Sequence, residues 1–302
     1  MHKPKFLIAF AIFTFLNTAS ARDKKYTMDE LLAAHLQSIG SPEALKQIHS
    51  RVLSGTASVR FIQGATGAWD DGQFSFGSEL YRIGIMIKFG ALEYPGEHFA
   101  YDSQEVTVGH IAPGQRSPLA DFIFRFDGIV KEGLLGGTLS VAWPLLNMKE
   151  RKPELKHKEG KLNGRPVYEV EYRPGKLAGG MKIKLLFAKE TFRHLRTEYR
   201  VAQTADMTAT RSVNRSTPAS PGRSQTGTRP IIFDPLPDSS YLLVEKFENF
   251  RKIGDLTLPY TYTIDYSIEG QGSSLIASWN MQADGQFTNN GQIAPGFFKA
   301  QK

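Results

Sequence analysis

Seven histidines are the first residues to weigh for chemistry: His2, His35, His49, His98, His110, His157 and His194. A helical metal site puts two of them on one face, as in H-x-x-x-H, and no pair here has that spacing. His98 and His110 would lie on neighbouring strands, but no third ligand accompanies them, so no metal is expected. A serine nucleophile needs a strained turn such as G-x-S-x-G to expose it. The nearest string, "GQFSFG" at 72–77, has Gln73 where the first glycine should stand. No G-x-x-x-x-G-K-[ST] phosphate loop occurs, and "GQGSSL" at 270–275 lacks the third glycine of a dinucleotide turn. The paired carboxylates Asp70-Asp71 read as part of a turn. No catalytic residue and no cofactor is assigned, and the chain is expected not to be an enzyme. A hydrolase with a site assembled in space, near His98 and His110, is kept as an alternative because triads need no sequence proximity.

The residues left over are apolar. In "ENFRKIGDLTLPYTYTIDY" (248–266) every even position from Leu256 to Tyr266 is large: Leu256, Leu258, Tyr260, Tyr262, Ile264 and Tyr266. Their odd neighbours are small or polar, which is a strand with one dry face. Pro259 lies on the other phase and lacks an N–H, which places the strand at an edge or a bulge. Residues 52–62, 73–79, 80–89, 98–102 and 105–111 read as further strands, with "WDDGQF" and "EYPGEHF" as turns. So do 152–160, 165–173, 181–189, 192–202, 240–250 and 273–282, with Asn163-Gly164 and "FAKETFRHL" as hairpins.

Two regions are helical. Thr27 and Glu30 have capping-box spacing, Leu32, Leu36 and Ile39 form a stripe, and Ser41-Pro42 starts a second short helix. Segment 116–146 lacks a strand rhythm and is read as helix, although Phe122, Phe124 and Phe126 would alternate if extended. Gly133, Gly136 and Gly137 make its backbone permissive and suggest mobility. The reading is a mostly β (α+β) chain: one strongly curved, unclosed antiparallel barrel whose N-terminal and central helices cover the concave face. Candidate cavity-lining residues are the six of 256–266 together with Phe122, Phe124, Phe126, Leu134, Leu135 and Trp143. An acyl chain would suit such a cavity, since each buried methylene contributes about 0.8 kcal/mol.

Lys3 and Lys5, the apolar run Phe6–Leu16 and Ala19-Ser20-Ala21 predict a secretory signal peptide cut after Ala21. That leaves 22–302 as one domain. The net charge of +7 falls to +5 (7 − 2) once the two signal-peptide lysines are removed. The remaining basic residues are scattered, which argues against nucleic acid. The chain has no Cys. That excludes thiol catalysis, thiolate metal sites, redox function, disulfides and the acylated cysteine of a lipid-anchored protein. No second stretch is apolar enough to span a bilayer. Residues 204–230 are rich in Ser, Thr, Pro and Arg, and read as a disordered loop. Arg211, Arg215, Arg223 and Arg229 on it are candidates for contact with a membrane or partner.

Several stretches resemble bacterial outer-membrane lipoprotein-sorting proteins, the LolA/LolB-like superfamily. They are "HLQSIGSPEALKQIHSRVLSGTASV" (35–59), "KLNGRPVYEVEYRP" (161–174), "FENFRKIGDLTLPYTYTIDY" (247–266) and "IAPGFF" (293–298). The resemblance implies an unclosed barrel with helices over its mouth and a hydrophobic cavity between. It implies a soluble periplasmic carrier that shields lipoprotein acyl chains or another lipid in transit; the chain is expected to be a monomer, with transport partners at the inner or outer membrane. The same fold serves sensor and interaction modules, which are the other reading. The insert at 204–230 is foreign to the pattern.

Overall fold

The computed structural model describes residues 25–175, 180–203, 239–270 and 273–300. The expected signal peptide and the 204–230 loop, with Arg211, Arg215, Arg223 and Arg229, lie outside them.

The chain opens with α1 (Met28–Ile39) and α2 (Pro42–Lys46). The capping box forms as the spacing predicts: Thr27 Oγ1 accepts from Glu30 N–H, and Glu30 Oε2 accepts from Thr27 N–H at 2.9 Å. Five strands follow: β1 (Ser50–Gln63), β2 (Gly67–Glu79), β3 (Arg82–Lys88), β4 (Gly96–Tyr101) and β5 (Val106–Val108). Next come α3 (Pro118–Arg125), α4 (Gly128–Lys131), two 3-10 turns (Gly137–Leu139 and Pro144–Leu146) and α5 (Met148–Arg151). Four strands resume the sheet: β6 (Glu154–Leu162), β7 (Arg165–Arg173), β8 (Lys182–Ala188) and β9 (His194–Gln203). The last are β10 (Ser239–Ile253), β11 (Leu256–Gly270), β12 (Ser273–Gln282) and β13 (Phe287–Asn289).

All these strands form one antiparallel sheet in the order β5-β4-β3-β2-β1-β12-β11-β10-β9-β8-β7-β6, with β13 added beside β1. The sheet is strongly curved and does not close, because β5 and β6 remain its edges. The expected unclosed barrel is therefore present. β6 carries Lys156, Lys158 and Lys161 along its exposed edge, and lysines of this kind discourage pairing with another chain. Asn163 and Gly164 take φ of 50° and 81° between Leu162 and Arg165, the doubly left-handed turn that asparagine and glycine favour in hairpins.

Three expectations are corrected. "WDDGQF" is no turn: it lies inside β2, and Asp70-Asp71 occupy a register shift where Ala57 faces Gly72 but Val59 faces Trp69. The hairpin turn comes earlier, at residues 64–66. An extra residue bends a strand in this way without ending it. Pro259 does not mark a sheet edge, since β11 runs between β10 and β12. Contact with β12 runs out at the 2.8 Å bond from Ala283 N–H to the Tyr260 carbonyl, so Pro259 lies just past that ladder, and the residue it faces is Phe250 of β10.

The central segment is helical only in part. Ser117 caps α3 by accepting from Ala120 N–H at 2.9 Å, but regular helix stops at α4. The three glycines take φ of 79°, 82° and 48°. Their lack of side chains serves close packing, where mobility was expected. A Cβ on Gly136 would lie 2.4 Å from Phe76, and one on Gly133 would lie 2.1 Å from the Ala142 carbonyl oxygen.

Candidate functional site

The inward phase of β11 divides between two clusters. Leu256 and Leu258 are buried with Ile39, beneath α1 and α2. Tyr262, Ile264 and Tyr266 belong to the main core on the concave face. Tyr260 is half-buried, stacked on Phe287 and covered by the Arg251 guanidinium at 4.2 Å. Phe122 fills the space beside Tyr266, with ring centres 5.3 Å apart. Leu134, Leu135 and Trp143 are buried in the same core. Phe126 is half-buried against Phe122, while Phe124 is exposed on the outer side of α3 under Arg116. The concave face at these residues is filled by the protein's own side chains.

Residues 133–147 form a cover over this face. Leu134, Leu135, Leu139, Trp143 and Leu145 point into the core. Three sheet side chains tie the cover down. Glu245 Oε1 of β10 accepts from Gly136 N–H at 2.7 Å. Arg51 Nη1 of β1 donates to the Thr138 and Leu139 carbonyls at 2.9 and 3.1 Å. Ser78 Oγ of β2 accepts from Val141 N–H at 3.0 Å.

Glu245 is fully buried, and among the described residues no cation pairs with it. It also accepts from Tyr199 and Tyr262 hydroxyls, each at 2.6 Å. Burial raises its carboxyl to about 7, against the pull of those hydrogen bonds. Glu97 repeats the arrangement: it accepts from Tyr94 at 2.6 Å and Ser117 at 2.8 Å, and Trp279 Nε1 donates to the Tyr94 oxygen. Burial raises Glu97 to about 7 as well. Both acids were missed in the sequence, yet Glu245 stands in phase with Tyr241, Leu243 and Phe247, a charged residue in an apolar row.

Burial holds the imidazoles of His35 and His194 neutral. His35 Nδ1 donates to the Phe192 carbonyl at 2.9 Å, and Nε2 accepts from Trp143 Nε1 at 3.3 Å. Burial lowers His35 to about 4. His194 stacks on Trp143 and lies tilted against Phe247, and burial pushes it far down too. His194 comes nearest to a catalytic pair, with Thr197 Oγ1 at 3.0 Å from Nε2. However, Nε2 must carry its proton to donate to the Arg196 carbonyl, also at 3.0 Å. It therefore has no lone pair to take a proton from Thr197, and both side chains are fully buried. His98 instead approaches the Phe297 carbonyl at 3.4 Å, and His110 borders a small pocket of about 150 Å³. Among the described residues no three His, Asp or Glu side chains gather as metal ligands.

A second feature lies at the mouth of the cover. A half-open cleft of about 380 Å³ runs between α1, α2, the Leu80–Tyr81 turn and residues 141–147. Leu36, Leu45, Ile48, Val141 and Leu146 give it apolar walls, and Arg51 contributes to its floor. No sequence signal singled out Arg51; its only mark is a charged residue in phase with Leu53, Ala57 and Val59.

No family model matches the chain, and no curated protein matches it. Three solved structures are similar in part. A DUF1329 family protein from Desulfovibrio piger is 12% identical, with 90% of this chain and 96% of that chain covered and a TM-score of 0.37. MucB, solved in complex with MucA, is 12% identical, covering 82% and 92% at a TM-score of 0.20. The Mycobacterium tuberculosis lipoprotein LppX is 11% identical, covering 86% and 98% at 0.21. Similarity this low assigns no function, and the resemblance to lipoprotein-sorting proteins stands on its own sequence motifs. No helix among the described residues is long and apolar enough to cross a membrane.

Proposed function

We propose that the protein is a lipid-binding carrier of the bacterial periplasm, taking an acyl chain between the curved sheet and the 133–147 cover. The cover supports this reading most directly. It meets the sheet through leucines and a tryptophan, and is tied by Glu245, Arg51 and Ser78. An apolar contact of this kind is exchangeable, because an acyl chain replaces leucine side chains at similar transfer free energy. Tyr262, Ile264, Tyr266, Phe122, Leu134, Leu135 and Trp143 would line the opened space. Leu256, Leu258, Tyr260 and Phe126 would extend it at its ends, whereas Phe124 faces away.

The chain has no Cys, so one engineered bridge tests the idea cleanly. Ser78→Cys with Val141→Cys would fasten the cover to β2. The reduced protein should bind an uncharged fluorescent diacylglycerol probe, which has no anionic head for the Arg51 cleft, and co-purify with lipid; the oxidised protein should bind at least about tenfold more weakly. Equal binding in both forms, or no amphiphile bound by either, refutes the carrier reading.

The second reading, an envelope sensor or interaction module, draws on Arg211, Arg215, Arg223 and Arg229 in the insert between Gln203 and Ser239. Removing 204–230 would then abolish capture of a defined envelope partner and leave lipid binding intact. Unchanged capture rejects it.

A further inference from the structure

The cleft beside α2 holds a cation that no described residue neutralises. Arg51 is 3% exposed. Its Nε donates to Asn289 Oδ1 at 3.0 Å, and Nη1 donates to the Thr138 and Leu139 carbonyls. All three acceptors are uncharged. Among the described residues nothing accepts from Nη2, and no carboxylate lies within ion-pair distance. Burial lowers the guanidinium to about 10, which leaves it charged at neutral pH.

A buried charge without a counter-charge is costly, by several kcal/mol in typical proteins. Nothing in the cleft offsets it: Lys46 and His49 stand at the rim, and no Asp or Glu is among the lining residues. Apart from Tyr81 and Asn147 the rest of the lining is apolar, and Leu80, 60% exposed, extends that surface to the solvent. A planar cation at the floor and leucine and isoleucine walls together describe a ligand with two ends. Among the described residues Nη2 keeps both of its N–H groups free, and a charge-assisted hydrogen bond from it suits an oxygen of a carboxylate or phosphate.

We infer that the cleft is a binding site for a small anionic amphiphile, with its carboxylate or phosphate head on Arg51 and its alkyl chain along Leu36, Leu45, Ile48, Val141 and Leu146. This site lies outside the packed interior and needs no movement of the cover. It can stand if the carrier reading fails.

The test is calorimetry and methyl NMR on the full chain with five probes: decanoate, decyl phosphate, decyltrimethylammonium, acetate and inorganic phosphate. Decanoate or decyl phosphate should bind one to one and shift the methyl signals of Leu36, Ile48 and Val141. The tighter of the two identifies the head. The cationic isostere and both chain-free anions should bind at least about tenfold more weakly. Arg51→Met should weaken the tighter alkyl anion by about 10- to 100-fold, the usual loss for a charged hydrogen bond. Arg51 also ties the cover, so a variant that leaves it alone is needed. Lys46→Glu with His49→Glu changes only exposed side chains, and should weaken the same probe about three- to tenfold. Any of three results overturns the inference: equal binding of the cationic isostere, chain-free anions as tight as the alkyl ones, or methyl shifts confined to other regions. Undiminished binding in the folded variants does so too.

Discussion

Glu245→Gln should stabilise the protein at pH 8 and leave it nearly unchanged at pH 4.5. In the fold Glu245 is fully buried, and its carboxyl rises from 4.5 to about 7 because burial disfavours the charged form. A shift of that size corresponds to about 3 kcal/mol of differential stability. The folded-state value lies above the unfolded one, so this contribution is fully present below about 4.5. It is lost as pH rises through about 7. Glutamine is neutral at every pH and nearly isosteric, and its carbonyl can take the place of Oε1, accepting from Gly136 N–H and the Tyr262 hydroxyl. Its amide must then sit where Oε2 now accepts from Tyr199, which requires that hydroxyl to turn and accept.

His35 acts in the opposite direction. Its value is lowered from 6.5 to about 4, so its contribution is present above 6.5 and lost on acidification. Below pH 6.5 the wild-type curve therefore mixes both signs, but the histidine terms cancel in the difference between variant and wild type. Urea midpoints measured at half-unit steps from pH 4.5 to 8 give that difference. It should grow by about 3 kcal/mol over the range, with most of the change between pH 5 and 7. A constant difference would mean that Glu245 titrates normally, and that its burial among three donors has been misread.

Two further outcomes follow from the backbone. Gly136→Ala should cost about 2–4 kcal/mol, because alanine resists a φ of 82° and its Cβ would collide with Phe76 at 2.4 Å; a thermal midpoint within a degree of wild type contradicts the packing described. Gln203 pairs with Ser239 across β9 and β10, so a four-residue turn can replace 204–238. If the disorder expected of 204–230 holds, closing the connection with four residues in place of about 35 should stabilise by about 2 kcal/mol, and an unchanged urea midpoint rejects that expectation.

Strands were legible wherever one face is dry and the other wet, as in 165–173 and 256–266, because alternation of side chains is itself the strand geometry. The capping box at Thr27 and the Asn163-Gly164 turn were legible for a similar reason: each is a local hydrogen-bond or dihedral requirement. Asp70-Asp71 misled because glycine and aspartate signal a bulge as strongly as a turn, and only the partner strand decides between them. Pro259 misled because a strand can end its pairing with one neighbour while remaining inside the sheet. The candidate site was legible in its apolar part. Its polar part was not, since Glu245 meets Tyr199 and Gly136 through contacts 46 and 109 residues apart, and Arg51 meets Leu139 at a separation of 88.

The strand order also bears on how the chain is made. β1 leads one block, β1 to β5, and β9 ends another, β6 to β9. The two blocks do not pair with each other, because β10, β11 and β12 sit between them. Until the strands from Ser239 onward have emerged, each block has an open inner edge, and such edges invite pairing with other chains. The insert before β10 lengthens that wait. A chain that folds from its N-terminus therefore holds two unfinished half-sheets, and the arrival of the final strands completes both at once.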